Sequence, residues 1–347
     1  VAISADTLVV GAPSEASDAT GVNGDQNNDR AQDAGAAYVF VRSGTNWTQQ
    51  AYLKAATTIT NGNGYLFGSA VAVSGDTIAV GAPRSREGGL SSFGAVYILV
   101  RSDTNWTQQS MVTHYPAQIG DSFAQSLSLS GDTLVVGAFN DKSNATGVNG
   151  NHNNTSLYGA GAAYVFVRSG TNWTRQAYLK ASNTAANDNF GWSVAVAGDT
   201  VVVGAREEDS NATGANGNQA NNTALNSGAA YVFVRNGTDW SQQAYLKASD
   251  PGLFDDFGYS VGVSGDTVVV GAYLEDSNAI GVNGDPINND AADSGAAYVF
   301  VRSGTNWTQQ AYLKASNPET ADQFGLSVAI SGDLVLVGAD QESSDAT

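Results

Sequence analysis

The chain has 347 residues, of which 15 are basic and 33 are acidic, so its net charge is -18. That charge repels nucleic-acid phosphates and anionic membrane surfaces, and we expect neither as a partner. Cysteine is absent, which excludes disulfides, thiolate metal sites and a cysteine nucleophile. Hydrophobic residues make up 42% and charged residues only 14%, which indicates a folded globular protein. No stretch of about 18 apolar residues occurs, so we predict no membrane insertion.

Internal repetition organises the whole chain. An aspartate that follows a small residue recurs at intervals of 70, 56, 67, 67 and 67 residues. Self-similarity of this kind indicates a repeat architecture, and we predict one repeat domain over residues 1–347. The recurring aspartates are Asp6, Asp76, Asp132, Asp199, Asp266 and Asp333. The predicted repeat units are approximately 1–55, 56–115, 116–181, 182–248, 249–315 and a partial unit at 316–347.

The fourth repeat unit shows the predicted elements, four short strands near residues 192–197, 200–205, 228–235 and 240–248. A glycine–aspartate turn between apolar runs predicts a hairpin of the first two strands. The second strand is continuously apolar, which indicates burial on both faces, whereas the fourth mixes glutamine and lysine with aromatic residues and is predicted as an outer strand. Stacked blades fit this pattern better than a sandwich or a solenoid. The predicted fold is an all-β propeller with five full four-stranded antiparallel blades and half of a sixth.

Two motifs carry a family resemblance. Phe-Gly opens most repeat units, and Gly-Ala, twice followed by proline, closes the second strand. The chain thereby resembles the FG-GAP repeat of the integrin alpha-subunit β-propeller, and more closely the bacterial FG-GAP surface proteins. Both ends carry the first two strands of a unit, which predicts a segment of a longer array with apolar edges at each end. The Phe-Gly pairs begin at Phe67, Phe190, Phe257 and Phe324, and Phe123-Ala124 departs from the motif.

The loops between the second and third strands are the predicted functional part. They span residues 13–34, 83–93, 139–160, 206–227 and 273–294, and they hold 15 of the 33 acidic residues. Long loops on a compact repeat are usually functional. The resemblance implies that ligands bind at the face from which these loops project. The acids that we place on this ligand face are Asp25, Asp29, Glu208, Glu275, Asp285 and Asp290.

The same loops contain a sequence motif with oxygen-bearing side chains at alternate positions before a glycine. This motif resembles the start of a calcium loop, because hard cations prefer oxygen ligands. The alternative is turn chemistry alone, since Asn-Gly favours a type I′ turn. The integrin-type calcium motif is missing from the turns between strands one and two, where the aspartates are interpreted as hairpin residues. The candidate calcium ligands are Asp209, Asn211, Asp276, Asn278 and Asp18.

An enzymatic reading has little support in the sequence. His114 and His152 have no recognisable nucleophile motif beside them, and the adjacent acids Asp255 and Asp256 are expected to be solvated. We therefore predict a non-enzymatic interaction or adhesion module that binds a protein or a glycan through its acidic loops. The alternatives are a purely structural spacer and an accessory domain of a larger secreted enzyme. The resemblance implies an extracellular or cell-surface location.

Overall fold

The computed structural model describes residues 1–57, 64–86, 93–114 and 120–343. Within these ranges the chain forms 22 β-strands and no α-helix. None of the described residues forms a helix that could cross a membrane. The described residues fall into two compact units, Val1–Asp141 with Tyr164–Gln176 and Lys142–Ala163 with Ala177–Thr347. Whether all repeat units form one domain stays a prediction.

Each complete repeat unit forms one four-stranded antiparallel sheet whose strands are hydrogen-bonded in chain order, and we call each such sheet a blade. The first three blades are β1 (Ala2–Ser4), β2 (Thr7–Ala12), β3 (Ala36–Ser43) and β4 (Asn46–Leu53); β5 (Ala70–Ser74), β6 (Thr77–Ala82), β7 (Ala95–Ser102) and β8 (Asn105–Val112); and β9 (Phe123–Ser130), β10 (Thr133–Ala138), β11 (Ala162–Ser169) and β12 (Asn172–Leu179).

The remaining strands repeat the same order, and the sixth unit contributes a two-stranded sheet. They are β13 (Phe190–Ala197), β14 (Thr200–Ala205), β15 (Ala229–Asn236) and β16 (Asp239–Leu246); β17 (Ser260–Ser264), β18 (Thr267–Ala272), β19 (Ala296–Ser303) and β20 (Asn306–Leu313); and β21 (Ser327–Ser331) with β22 (Leu334–Gly338). The predicted fold class, with five full blades and half of a sixth, is confirmed.

Burial follows the predicted gradient from inner to outer strand. All six residues of β14 are buried, whereas in β16 Asp239 and Ser241 are exposed on either side of the buried Trp240, and burial is continuous only over the last three residues. The apolar run of β14 therefore contacts neighbours on both faces of the sheet, as continuous apolarity predicts. The equivalent valines of β18 are also buried. They belong to a core between adjacent blades, in which Val202 and Leu246 pack with Val268 and Phe300.

Adjacent blades approach each other at glycine. A Cβ placed on Gly204 would lie 2.0 Å from the carbonyl oxygen of Gly258, the glycine of the following Phe-Gly pair. Gly258 itself has a φ of 95°, in the left-handed region that favours glycine. Phe257 beside it is fully buried, and its ring lies 5.3 Å from that of Tyr298. The two glycine motifs of the repeat therefore meet across the interface between blades.

A β-bulge in the fourth strand directs one glutamine towards the next blade. In the fourth blade Val232 pairs with Ala244 and Phe233 pairs with Gln242, so Gln243 has no opposite residue. Bulges of this kind re-aim a side chain. Gln243 Oε1 accepts a hydrogen bond of 2.8 Å from Trp307 Nε1 on the following blade.

The recurring aspartates of the first hairpin pair with an arginine that the sequence analysis missed. Asp199 Oδ1 accepts a 2.7 Å hydrogen bond from Arg235 Nε, and the guanidinium lies 5.1 Å from the Trp240 ring centroid. These aspartates are thus hairpin residues with an ionic partner on the third strand. The same triad occurs at Asp6–Arg42–Trp47, Asp76–Arg101–Trp106, Asp132–Arg168–Trp173 and Asp266–Arg302–Trp307.

The turn that joins the first two strands explains one expected difference in stability. Gly198 has a φ of 56° and the aspartate after it does not have a positive φ, as in a type II′ turn. In the first repeat unit, Ala5 occupies this position with a φ of 49°. We expect Ala5→Gly to raise the free energy of unfolding by about 1 kcal/mol, because alanine is strained in this region. Thermal unfolding measures the effect.

The matched control is Gly198→Ala, which places the same strain in the fourth repeat unit and should lower the unfolding temperature. An unchanged unfolding temperature for Ala5→Gly, together with a loss for Gly198→Ala, would contradict the strain at Ala5.

Candidate interaction surface

The loops between the second and third strands fold back over the end of the fourth strand of their own blade. In the loop 206–227, Ala215 forms an isolated antiparallel bridge with Leu246. This bridge attaches the middle of a long loop to the sheet, so the loop has a defined path. The equivalent bridges are Val22 with Leu53, Val148 with Leu179 and Val282 with Leu313. Most of the loop 83–93 lies outside the described residues.

An asparagine next to each bridge holds the loop in place. Asn216 has a φ of 57°, and its side-chain Oδ1 accepts a 2.9 Å hydrogen bond from the Tyr245 N–H. Its own N–H donates to the Tyr245 carbonyl at 2.7 Å. The predicted type I′ turn is wrong, because Gly217 does not share the positive φ that this turn requires at both central residues. The equivalent residues are Asn23, Asn149 and Asn283.

Two acids that were predicted on the ligand face are buried, and the prediction of an exposed role for them is wrong. Glu208 is only 1% exposed, and its Oε2 lies 2.9 Å from Nζ of the buried Lys247. Glu275 forms the same pair with Lys314 at 2.7 Å. Burial lowers the pKa of Lys247, while the adjacent Glu208 opposes that shift. Each pair connects the base of a loop to the fourth strand.

The remaining predicted acids of the ligand face are exposed. Asp25 and Asp285 accept hydrogen bonds from the backbone two residues later, at 3.0 and 3.1 Å, which stabilise local turns. Asp29 and Asp290 lie near the ends of the same two loops and are also exposed. These four carboxylates keep the outer parts of the loops 13–34 and 273–294 negatively charged.

The candidate calcium ligands take part in contacts within their loops. Asp209 Oδ1 accepts a hydrogen bond from the Asn226 N–H, and Asp276 Oδ1 accepts one from the Asp293 N–H, both at 2.8 Å. In the described ranges no three His, Asp or Glu side chains are grouped to hold a metal ion. The site of Asp209 with Asn211 and of Asp276 with Asn278 stays a prediction.

Asp18, the fifth candidate ligand, lies 3.7 Å from Arg30 Nη1, and the backbone N–H of Asp18 donates to Asn28 Oδ1 at 3.1 Å. Its carboxylate is half-buried within the loop 13–34. Both of these contacts lie within the loop 13–34, and the role of Asp18 as a calcium ligand also stays a prediction.

The two histidines lie in aromatic surroundings. His114 is buried, its Nε2 lies 3.1 Å from Asp121 Oδ2, and its ring stacks on Phe123 with the centroids 4.6 Å apart. The His152 ring contacts the edge of Tyr178 at 5.6 Å. These contacts place His114, which follows the second blade, in the packing around Phe123 at the start of the third blade.

Buried aspartates lie one or two residues before the Phe-Gly pairs, and the expectation that Asp255 and Asp256 are solvated is wrong. Asp255 Oδ2 accepts the Gly252 N–H at 2.7 Å, and burial raises the pKa of Asp255 to about 8. Burial likewise raises the pKa of Asp188 to about 7. For Asp256 the pKa is also about 7, because burial outweighs the attraction of Arg206 at 3.3 Å.

Exposed apolar side chains share the loop face with the exposed acids, a feature that the sequence analysis missed. Phe254 is 50% exposed and its N–H donates to the carbonyl of Leu225, itself 49% exposed, at 2.9 Å. In the loop 273–294, Ile287 is 75% exposed. Loops have no periodic sequence pattern from which the exposure of a side chain could be predicted, so this surface is seen only in the folded structure. The further members are Tyr158, Leu253, Ile280 and Val282, and all seven belong to the second compact unit.

The four-stranded blades and the glycine contacts between them define a blade-repeat protein, and comparison with known proteins identifies the family. The FG-GAP repeat family matches residues 47–99, 106–166, 173–233, 240–300 and 307–347. The chain therefore belongs to the FG-GAP repeat family. No curated protein matches the chain.

Among solved structures, the periplasmic gluconolactonase PpgL of Pseudomonas aeruginosa is similar, with a TM-score of 0.50 and 14% sequence identity. The alignment covers 96% of this chain and 75% of that chain. At this identity the similarity concerns the fold alone.

The buried Glu208–Lys247 pair gives a test of how the loops are held. We expect Lys247→Met to lower the free energy of unfolding by about 3 kcal/mol, because it leaves the Glu208 carboxylate buried and uncompensated. The double variant Lys247→Met/Glu208→Leu should recover most of that loss, because no buried charge remains. Denaturant unfolding of the wild type, both single variants and the double variant gives the coupling. A double variant whose loss of unfolding free energy equals the sum of the two single losses would contradict the pairing.

The raised pKa values of the buried aspartates predict that their contribution to the free energy of unfolding falls as the pH rises, which is the opposite of the usual effect of a carboxyl group. Folded Asp255, with a pKa of about 8, keeps a proton that the unfolded chain releases above about pH 4. Stability from this group is therefore complete below pH 4 and is lost as the pH rises towards 8. We expect Asp255→Asn to raise the free energy of unfolding at pH 8 by about 1 kcal/mol and to flatten its decline between pH 5 and pH 8.

Unfolding measured across this pH range checks the expectation. The exposed Asp290→Asn serves as the control and should leave the slope unchanged. A slope for Asp255→Asn equal to that of the wild type would show that Asp255 is charged in the folded protein.

Proposed function

We propose that the chain is a non-enzymatic interaction module that binds a protein partner through the loop face of its second compact unit, at the cell surface or outside the cell. The observation that carries the proposal is the coincidence of exposed apolar and acidic side chains on the loop 273–294, where Ile287 stands close in sequence to the exposed carboxylates of Asp285 and Asp290. Leu225 and Phe254 add exposed apolar side chains that are joined by a backbone hydrogen bond.

The charges of these loops favour a basic partner. The loops 206–227 and 273–294 contain eight acids and one basic residue, Arg206. Glu208 and Glu275 are paired with buried lysines, and the two acids that are exposed, Asp285 and Asp290, both lie in the loop 273–294. A negatively charged rim around apolar side chains attracts a complementary basic surface and steers its approach. Apolar side chains then supply the affinity, because their burial removes them from water.

The exposed side chains favour a protein over a glycan as the ligand. Leucine, isoleucine and valine present branched aliphatic groups, whereas sugars stack on flat aromatic rings. Five of the seven exposed apolar side chains on this face are aliphatic: Leu225, Leu253, Ile280, Val282 and Ile287. Tyr158 and Phe254 are the two aromatic members. The non-enzymatic part of the proposal is supported by the structural contacts of Glu208, Glu275 and His114.

The test begins with the labelled 347-residue chain on two arrays, one of folded ectodomains of secreted and cell-surface proteins and one of glycans. Any ectodomain that binds is then titrated with two loop variants, Leu225→Ser/Phe254→Ser and Ile280→Ser/Ile287→Ser. We expect each to weaken binding about tenfold or more, because each removes central apolar contacts. Raising the salt concentration should also weaken binding, because it screens the acidic rim.

The matched control is Leu334→Ser/Leu336→Ser, which replaces two equally exposed leucines of β22 and should leave the affinity unchanged. Binding to glycans alone would overturn the choice of a protein ligand. Equal affinity of the loop variants and the wild type would exclude the loop face. Absence of binding on both arrays would favour the structural spacer.

A further inference from the structure

Each asparagine that holds a long loop on its fourth strand is followed by glycine. Asn216 precedes Gly217 beside the bridge of Ala215 with Leu246, and the side chain of Asn216 is exposed to water. Asparagine is a chemically labile residue. It is most labile before glycine, which has no side chain to obstruct its own backbone nitrogen. We call these four dipeptides the Asn–Gly anchors, and the other three are Asn23-Gly24, Asn149-Gly150 and Asn283-Gly284.

The reaction open to such a dipeptide is deamidation. The backbone nitrogen of the glycine attacks Cγ of the asparagine and loses its proton, the bond from Cγ to Nδ2 breaks, and ammonia leaves. The product is a five-membered succinimide ring, which water then opens at either of its two carbonyl carbons. One opening gives aspartate. The other gives isoaspartate, in which the main chain runs through the former side chain and is one carbon longer.

Packing requires both residues of each Asn–Gly anchor. Asn216 has a φ of 57°, a conformation in which asparagine is enriched. A Cβ on Gly217 would lie 2.8 Å from Cβ of Ala212, well inside normal carbon–carbon contact. The loop therefore keeps a labile dipeptide because its attachment needs both residues. The glycines of the other three anchors meet an alanine in the same way, Gly24 at Ala19, Gly150 at Ala145 and Gly284 at Ala279.

The contacts of the anchor oppose the ring closure. Asn216 Oδ1 accepts from the Tyr245 N–H at 2.9 Å, and the Asn216 N–H donates to the Tyr245 carbonyl at 2.7 Å. Bringing the Gly217 nitrogen to Cγ of Asn216 requires rotation about the backbone and side-chain bonds of the asparagine. That rotation breaks the bonds to Tyr245 or moves the crowded glycine. Reaction at the anchor therefore depends on local opening of the loop.

Another Asn–Gly pair lies at the tip of the hairpin between β15 and β16 and provides a matched comparison. Asn236 is exposed, as Asn216 is, and it ends β15 opposite Asp239. A Cβ on Gly237 would meet nothing within 4 Å, so this glycine is free of the crowding at Gly217. The two pairs share their chemistry and their access to water, and they differ in how closely the folded chain surrounds them.

We propose that the Asn–Gly anchors are latent modification sites, at which the release of a long loop becomes permanent when the asparagine is converted to isoaspartate. An attached loop protects its own anchor, and an opened loop exposes the anchor to reaction. Isoaspartate at position 216 places one more main-chain carbon between the bridge at Ala215 and the crowded Gly217, so the bonds to Tyr245 no longer form in register. The proposal concerns how the loops are attached and is independent of what they bind.

The test measures deamidation at each asparagine of the 347-residue chain during incubation at neutral pH, by peptide mass spectrometry that separates aspartate from isoaspartate. We expect Asn236 to react about tenfold faster than Asn216 or more, because Asn216 reacts only through local opening. In concentrated urea the two rates should become similar, since both asparagines precede glycine. Equal rates in the folded chain would overturn the proposal, and so would an Asn216 that stays unreactive in urea.

A second measurement separates release of one loop from unfolding of the whole compact unit. Lys247→Met removes an attachment at the base of the loop 206–227, so Asn216 should react severalfold faster. Asn283, whose loop keeps its own Glu–Lys pair, should keep its rate. Where Lys247→Met does not fold, the milder Ser227→Ala, which removes one hydrogen bond from Lys247 to the same loop, replaces it. Equal acceleration at Asn216 and Asn283 in a folded variant would overturn release loop by loop.

Hydrogen exchange checks whether the release is permanent. In the fraction of the chain that carries isoaspartate at position 216, the Tyr245 amide should exchange faster than in the unmodified chain, because its acceptor has moved. The Tyr312 amide, which donates to Asn283 Oδ1 at 2.9 Å, is the matched control and should be unchanged. An unchanged exchange rate at Tyr245 would show that the anchor forms again after modification, and it would overturn the proposal.

Discussion

The contact between glycines of successive blades is the constraint on which the rest of the structure depends. A side chain on Gly204 or Gly271 would collide with the carbonyl of the glycine in the next Phe-Gly pair, because the two backbones are in direct contact there. This close approach brings the buried phenylalanine, the bulged glutamine and the arginine–tryptophan pair into register across the interface. Sequence and packing are linked at this point, since a glycine such as Gly204 leaves room for the approach and the residue that it meets has a left-handed φ, which favours glycine and which Ala124 adopts in the third blade.

Much of the fold was predictable because it depends on short-range patterns. Apolar runs and the Gly-Asp turn located β13 to β16 to within a few residues, and the Phe-Gly repeats indicated blades. The candidate site was harder to predict. Glu208 looks like any other loop acid in the sequence, and its burial depends on Lys247, which lies 39 residues away. Asp255 is buried by the way in which its loop packs, and loop packing leaves no period in the sequence.

The buried ion pairs and the exposed surface are two parts of one arrangement. The asparagine–tyrosine bonds attach each of these long loops to the wettest strand of its blade, and the Glu–Lys pairs add a second attachment in the loops 206–227 and 273–294. The loop therefore has few ways to move at its base. Exposed side chains such as Phe254 and Ile287 are then presented from an anchored loop, which reduces the entropy lost on binding a partner. The acidic residues of the loops therefore have two roles. Buried acids such as Glu208 hold the loop in place, and exposed acids such as Asp285 face the solvent.

The boundaries of the family matches have a consequence for how such a protein can change in length. Four of the five matches begin at the tryptophan of a fourth strand and end within the third strand of the following blade. The match at 240–300 holds the receiving Gln243, and the arginine that contacts it, Arg302, lies two residues beyond its end. A full repeat period, from one tryptophan to the next, holds one such glutamine and one such arginine, so duplicating or deleting one period in the gene adds or removes a blade along with a matched junction. Variation in blade number then needs no compensating mutation elsewhere.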